Sequence, residues 1–255
     1  PEQLPAARFL ASPDESVGLD ALRSIAFDRQ ATLGERTLAI EGLGQAGRVL
    51  DVRRLQPLLA PAEPPELQRA AAIAIVQLTA GEPGTLSEQS IGWARLAVND
   101  SDWVVRESAA LVLGDSASAQ AGELLSALAQ DKDAMVRRAA VRALARRTEL
   151  SALNDLKTRI ADSDAGVRVE TLRALTQLAQ TLLKRSPREF IAELLTVVKA
   201  RVERGTPEEQ LLGRVVLLRL GDEAQREALR SWLSSTDLEM RRLLIENTSN
   251  DIELL

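Results

Sequence analysis

The sequence predicts an all-α, right-handed α-solenoid of about seven stacked antiparallel helix pairs, and three observations predict it. The pattern D-x-D-x-x-V-R occurs three times, and its starts at Asp100, Asp131 and Asp162 are 31 residues apart. A fixed period of about 20 to 50 residues is typical of stacked-repeat architectures. Aromatic residues make up only 2% of the chain, so its core must be aliphatic, which suits helices packed on helices.

Each regular repeat is predicted to contain two helices joined by an acidic turn. In the repeat that begins near Ala119, apolar residues recur at helical spacing before the turn, and again after it in the segment MVRRAAVRALARR. The pair of aspartates stands where the second helix must begin. A carboxylate at that position can accept hydrogen bonds from free backbone N–H groups and interacts well with the positive end of the helix dipole.

An arginine follows the first aspartate of each turn by six positions, so stacking should bring these arginines into line. We expect an Asp–Arg ladder that ties each repeat to the next, formed by Asp102, Arg106, Asp133, Arg137, Asp164 and Arg168. Arg137 should then bind an aspartate of its own or an adjacent repeat, with Asp102, Asp133 and Asp164 as the foremost candidates. The alternative is that three aligned arginines form an anion site.

Fainter copies extend the repeat in both directions and bring the count to about seven helix pairs. They begin near Gln30, Ala62, Pro207 and Ser235, and Gln68 and Gly213 occupy the arginine position in two of them. The spacing widens to 45 residues between Asp162 and Pro207, which predicts longer helices with a stop at Ser186-Pro187. Residues 1–255 are therefore predicted to form one domain, with the most regular repeats at 100–180.

The three regular copies, DSDWVVRESAALVLG, DKDAMVRRAAVRALA and DSDAGVRVETLRAL, resemble the HEAT-repeat family in its short bacterial form. This resemblance implies a fold and leaves the function open, because such repeats serve as scaffolds in unrelated processes. It also implies that the second helix of each pair lines the inner, concave surface.

The two ends of the chain carry apolar residues next to helix-breaking ones. A short helical turn with Leu4, Phe9 and Leu10 should cap the first helix pair. Ile252, Leu254 and Leu255 follow the helix-ending segment NTSND, and exposing them to water would be costly. They either fold back onto the last helix pair or pack against further repeats, and we favour the second interpretation. We therefore expect the chain to be part of a longer protein.

Composition restricts the chemistry that is available to the chain. It contains no Cys and no His, which excludes disulfides, thiol nucleophiles, Cys/His zinc sites and imidazole acid–base catalysis. Phosphate-binding loops and nucleophile-elbow motifs are also missing. We expect a soluble protein without enzymatic activity, metal or cofactor. No apolar run is long enough to span a membrane, and the sequence does not choose between cytoplasm and periplasm.

Residues on one face of the second helices are the candidate partner-binding site, because steps of four residues stay on one helical face. Apolar residues in the middle of this stripe lie beside several arginines, a combination that suits docking of a peptide or helix. The candidates are Arg69, Ile73, Gln77, Glu107, Leu111, Arg138, Arg142, Arg146, Arg173 and Gln177.

The function that these features favour is a non-catalytic protein-interaction scaffold. An acidic or amphipathic segment of a partner protein, or another domain of the same chain, would dock on the concave face. Nucleic-acid binding along the arginines is an alternative, opposed by the net charge of −5 and the scarcity of aromatic stacking residues. An accessory or lyase-like role is a third possibility that only the HEAT resemblance supports.

Overall fold

The computed structural model describes residues 15–79, 88–114, 116, 118–233 and 238–248. These residues contain fourteen α-helices, and no strand occurs among them. The all-α prediction is confirmed. The predicted N-terminal cap and the predicted C-terminal continuation concern residues outside the described part of the chain.

The chain divides into two compact units, Pro1–Leu128 and Ala129–Leu255. The prediction of one domain stays a prediction. The helices of the first unit are α1 (Glu15–Phe27), α2 (Leu33–Ala46), α3 (Val52–Leu55, flanked by 3₁₀ turns), α4 (Pro65–Thr79), α5 (Glu88–Ala97), α6 (Trp103–Gly114) and α7 (Ala119–Leu128). Helix α2 packs on α4 and α4 packs on α6, while α1 and α5 pack on their own pair partners α2 and α6.

The second unit repeats the same packing. Its helices are α8 (Ala134–Leu144), α9 (Leu150–Arg159), α10 (Ala165–Arg185), α11 (Arg188–Arg204), α12 (Pro207–Arg219), α13 (Gln225–Leu233) and α14 (Leu238–Thr248). Contacts run from α8 to α10, from α10 to α12 and from α12 to α14. Consecutive second helices therefore lie side by side in each unit, and the first helices form the other layer.

The widened spacing after Asp162 has the predicted cause. Helix α10 has 21 residues and α11 has 17, and the helical conformation is interrupted between them at Ser186 and Pro187. Pro187 stands at the N-cap of α11, where the missing N–H costs nothing. The two long helices absorb the extra residues within the helix-pair pattern.

Small residues let neighbouring second helices approach closely. A Cβ on Gly44 of α2 would lie only 2.8 Å from the Cα of Ala74 on α4, so the two backbones meet there. Ala70, Ala71 and Ala74 on α4 are also buried. Gly44 and the buried alanines of α4 thus mark the contact between α2 and α4.

Candidate functional site

The first aspartate of each regular turn folds the turn itself. Its carboxylate accepts a hydrogen bond from the backbone N–H of the second aspartate, at 2.8 Å in the first two turns and 2.9 Å in the third. The donor and acceptor pairs are Asp102 to Asp100, Asp133 to Asp131 and Asp164 to Asp162. An aspartate that bonds to the backbone two residues ahead is typical of tight turns.

The second aspartate starts the second helix. Asp102 accepts a hydrogen bond from the N–H of Val104 at 2.9 Å, and Asp133 accepts one from Met135 at 2.9 Å. Asp164 accepts from the N–H of Val167 at 3.0 Å. The capping prediction is confirmed for these three helices, and their second aspartates are committed to N–H groups of their own repeat.

The arginine at the fourth position of each second helix closes the turn from the other side. Its Nη1 donates to two successive backbone carbonyls of the turn, five and six residues back. The distances are 2.8 and 3.0 Å for Arg106, 3.0 and 3.3 Å for Arg137, and 2.8 and 3.0 Å for Arg168. This bond pattern explains why the arginine stands six residues after the first aspartate.

The other edge of the guanidinium ties one repeat to the next. Nε and Nη2 of Arg137 donate to the two carboxylate oxygens of Asp162 at 2.9 and 2.7 Å. Nε and Nη2 of Arg168 lie 2.9 and 2.8 Å from Oε1 of Glu209. Arg137 therefore binds an aspartate of the adjacent repeat, as predicted, but the three named candidates were wrong. The partner is Asp162, the first aspartate of the next turn, because the second aspartates are bonded to the N–H groups of their own helices.

These ties are buried. The side chain of Asp162 is 2% exposed and that of Glu209 is fully buried. Burial alone would raise the pKa of Asp162. The hydrogen bonds from Arg137 and from the backbone N–H of Asp164 together outweigh this effect, so the pKa of Asp162 lies below 3.8. The N–H donors of the Arg137 and Arg168 guanidinium groups bind backbone carbonyls and carboxylates. The alternative of an open three-arginine anion site does not fit this geometry.

Glutamines take the same position in two outer repeats. Gln68, the fourth residue of α4, donates to the carbonyl of Glu63 at 2.7 Å, and Gln210, the fourth residue of α12, donates to Gly205 at 3.0 Å. Gln210, and not Gly213, is thus the counterpart of the arginine, and the sixth repeat begins three residues earlier than the sequence suggested. The Thr206 N-cap followed by Pro207 at the first helical position was the overlooked signal.

The predicted partner-binding residues differ in exposure. In the first unit, Gln77 is exposed, and the other four candidates are partly buried, namely Arg69, Ile73, Glu107 and Leu111. In the second unit, Arg138 and Arg173 are partly buried, and the exposed candidates are Arg142, Arg146 and Gln177. Of the ten candidates, Arg69, Arg138 and Arg173 line one of the two grooves described next.

The groove of the second unit is open and has a volume of about 540 Å³. It lies over the first turns of α10 and α12 and is bounded by α8. The residues that line it are Arg138, Ala165, Gly166, Val169, Arg173, Thr206, Pro207 and Glu208. Its floor is made of small and apolar residues, and charged side chains stand around it.

The first unit has a groove at equivalent helix positions. It has a volume of about 400 Å³ and is lined by Leu33, Gly34, Thr37, Leu38, Glu66 and Arg69. Both grooves use the first, second and fifth residues of second helices. The two grooves therefore occupy equivalent positions in the repeat.

Ion pairs between neighbouring helices surround the second-unit groove. Arg138 and Arg142 on α8 each donate Nε to Glu170 on α10 at 3.1 Å, and Arg173 donates to Glu208 on α12 at 2.9 Å. Burial raises the pKa of Glu170, but the hydrogen bonds from both arginines hold it below 4.5. The positive charge predicted for this face is thus partly offset by carboxylates.

In the described part of the chain, no group of three or more acidic side chains is placed to hold a metal ion. None of its helices combines the length and the apolar character that crossing a membrane requires.

Helix pairs stacked with their second helices in one layer define a helical-repeat protein. The family model for HEAT repeats matches residues 92–176, which contain the three regular turns, so the HEAT resemblance is confirmed for this part of the chain. No curated protein sequence matches the chain.

Several solved structures share the fold. The Escherichia coli protein YibA is 16% identical with a TM-score of 0.58, over 98% of this chain and 93% of its own. An engineered protein is 20% identical with a TM-score of 0.55, over 96% and 77%. A designed armadillo repeat protein in complex with the peptide (KR)4 is 20% identical with a TM-score of 0.53, over 87% and 100%. At these identities the likeness concerns the fold alone.

Proposed function

We propose that this chain is a protein-interaction scaffold that binds an extended segment of a partner, or of another domain of its own chain. The binding surface would be the first turns of the second helices. The observation that carries the proposal is the recurrence of an open groove at equivalent helix positions in both units. A surface that repeats with the fold suits a ligand that is itself a chain.

The composition of both grooves supports a peptide ligand. In the first-unit groove, Leu33 and Leu38 are 39% and 59% exposed, and Glu66 and Arg69 stand beside them. In the second-unit groove, apolar Val169 lies among charged groups. Exposed apolar side chains bordered by polar ones are typical of protein interaction sites. The designed armadillo protein, which shares the fold, was solved with a peptide bound.

Nucleic acid is a weaker candidate for the same surface. Affinity for a phosphate backbone comes from cations that neutralise phosphates. Here Arg138 and Arg142 share the carboxylate of Glu170, and Arg173 is paired with Glu208. A phosphate would have to displace Glu208 from Arg173 and would lie close to Glu170, on a chain whose net charge is −5.

Three glycines offer a matched test of the proposal. Gly34 and Gly166 are the second residues of α2 and α10 and lie in the two grooves, whereas Gly92 lies on α5 outside both. A Cβ on Gly34 or Gly92 would meet no atom within 4 Å, and one on Gly166 would lie 3.1 Å from a carboxylate oxygen of Asp164. Gly→Gln fills each groove, and at Gly34 and Gly92 it raises helix propensity by roughly 0.5 kcal/mol, so binding lost in Gly34→Gln cannot be ascribed to unfolding. At Gly166 the new Cβ presses on the capping carboxylate of Asp164, so the stability of Gly166→Gln is measured beside its binding.

The measurement is affinity capture from a lysate of the source cells, with bound proteins identified by mass spectrometry. We expect partners that bind the wild type to be lost or reduced by Gly34→Gln or Gly166→Gln and retained by Gly92→Gln. Equal capture by all four proteins would show that the grooves are not the binding surface.

A further inference from the structure

We infer that the second-unit groove selects a partner segment with an acidic side chain, which binds between Arg138 and Arg173. This inference rests on the proposed function and specifies the chemistry of the partner. It follows from the hydrogen-bond donors that the groove leaves unused and from its charge balance.

Arg138 offers most of its donors to the groove. Within the described residues its only ion pair is the one between Nε and Glu170, so its two Nη groups remain for a ligand. Nη1 of Arg138 would lie 3.9 Å from a Cβ placed on Gly166, which locates this end of the side chain at the groove floor. Because Glu170 holds Nε, the guanidinium is fixed in place before a ligand arrives.

Arg173 offers a second, exchangeable donor group. Its Nη2 donates to Glu208 at 2.9 Å, and the two side chains are 39% and 40% exposed. Exposed ion pairs of this kind contribute little, because water competes for both partners. A ligand carboxylate can therefore replace Glu208 as the partner of Arg173.

The charge balance favours an acidic ligand over a basic one. Three arginines, Arg138, Arg142 and Arg173, face two glutamates, Glu170 and Glu208, which leaves one positive charge. The nearby carboxylate of Asp164 is bound to the N–H of Val167 at the positive end of α10. A carboxylate accepts paired bonds from guanidinium groups and carries the opposite charge, which a neutral amide lacks.

The test uses the full chain and an immobilised library of random dodecamer peptides with one fixed central residue. The fixed residue is Asp, Glu, Asn, Gln, Lys or Ala in separate pools. For the wild type we expect the Asp and Glu pools to bind about tenfold better than the Asn and Gln pools, because a carboxylate adds the attraction of opposite charges to the hydrogen bonds that a neutral amide also accepts.

Four variants locate this preference. Arg138→Gln and Arg173→Gln should each reduce the acidic preference, and Glu208→Gln should increase it about three- to fivefold by freeing Arg173 from its competitor. Arg188→Gln, an exposed arginine on α11 outside the groove, should leave it unchanged.

The outcomes separate this inference from the proposed function. Peptides that bind without any acidic preference would overturn the inference and leave the scaffold function standing. An acidic preference that persists in Arg138→Gln and Arg173→Gln would overturn its location. If no pool binds the wild type, both the inference and a peptide-binding scaffold function are overturned.

Discussion

The guanidinium of Arg137 makes two kinds of contact at once. One edge holds the carbonyls of its own turn, and the other edge binds both carboxylate oxygens of Asp162 in the next repeat. The side chain of Arg138, the next residue along α8, is 34% exposed, and its Nε donates to one carboxylate oxygen of Glu170. Two adjacent arginines thus differ in burial and in the number of groups that they satisfy.

The substitution Arg137→Ala should lower the free energy of unfolding by about 2–4 kcal/mol, because it leaves the buried carboxylate of Asp162 with only Arg159 as its cationic partner. Arg138→Ala should cost less than about 1 kcal/mol, as expected for a pair open to solvent. Urea unfolding followed by circular dichroism measures both.

Arg137→Lys serves as the control, since it keeps the charge and loses the two-pronged geometry. Its loss of stability should lie between those of the two alanine variants. Equal losses for Arg137→Ala and Arg138→Ala would contradict the structural role assigned to Arg137.

At this scale the sequence predicted the capping aspartates and a tie between repeats, but not the partner of Arg137. The two aspartates of a turn are only two residues apart, and either could reach a neighbouring arginine. The choice is made by backbone geometry, since the second aspartate is closer to the free N–H groups of its own helix. That competition cannot be read from spacing alone.

Two of the three glycines of helix α2, Gly34 and Gly44, lie in opposite environments. A Cβ on Gly34 would meet no atom within 4 Å, whereas one on Gly44 would lie 2.8 Å from the Cα and 3.0 Å from the Cβ of Ala74 on α4. Gly34 therefore costs α2 backbone entropy without a packing benefit, and Gly44 permits the contact between two repeats.

Gly34→Ala should raise the free energy of unfolding by about 0.5–1 kcal/mol, and Gly44→Ala should lower it by about 1–3 kcal/mol because α2 and α4 must separate. Thermal unfolding of both variants beside the wild type checks the pair. Stabilisation by both alanines would show that α2 and α4 are not in close contact at Gly44.

At the scale of helices, periodicity and breakers predicted α10 and α11 well, including the stop at Ser186-Pro187. The start of the sixth repeat was misplaced because its turn lacks the D-x-D pattern. There the cap is Thr206, the turn donor is Gln210, and the buried carboxylate is Glu209 inside the helix. Different residue types fill the same structural positions, so a search for identical letters shifts the register by three.

Across the whole molecule, acid is the condition that should weaken the fold. The chain has no His, and several carboxylates in both units have lowered pKa values. The side-chain hydrogen bond from Arg23 lowers the pKa of Asp51 below 3.8 in the first unit. In the second unit, hydrogen bonds from arginines overcome the effect of burial and lower the pKa of Asp162 and Glu170.

Because these folded-state pKa values lie below those of the unfolded chain, the unfolded state binds more protons in acid. Their stabilising contribution is complete above the unfolded values of 3.8 and 4.5, and it is lost as the pH falls through the lower folded values. The free energy of unfolding should be nearly constant from about pH 6 to 8 and decrease below about pH 4.5.

Urea unfolding at a series of pH values measures this dependence, and Asp162→Asn provides the comparison. That variant should be less stable at pH 7 and should lose less on acidification. A stability that stays constant down to about pH 3 would contradict the assignment of these carboxylates as stabilising groups.

The two grooves proposed as the binding surface were predicted only in part from the sequence. Three of the ten candidates, Arg69, Arg138 and Arg173, line the grooves. Steps of four residues identify one face of a helix, but a groove forms where the first turns of neighbouring helices leave space. That space depends on small residues such as Gly34 and Gly166. Because glycine has no side chain, a search for charged and apolar residues on one helical face does not select it.

The buried ion pair between Arg168 and Glu209 also constrains the evolution of this sequence. Loss of Arg168 alone would leave the buried Glu209 with Arg201 as its cationic partner, and loss of Glu209 alone would remove the carboxylate from both arginines. A joint replacement of Arg168 and Glu209 by apolar residues would leave only the more exposed Arg201 to be hydrated. Positions 168 and 209 should therefore vary together among descendants of a common ancestor. Since 41 residues separate them, their shared history would be hidden from any comparison that assumes a uniform 31-residue period.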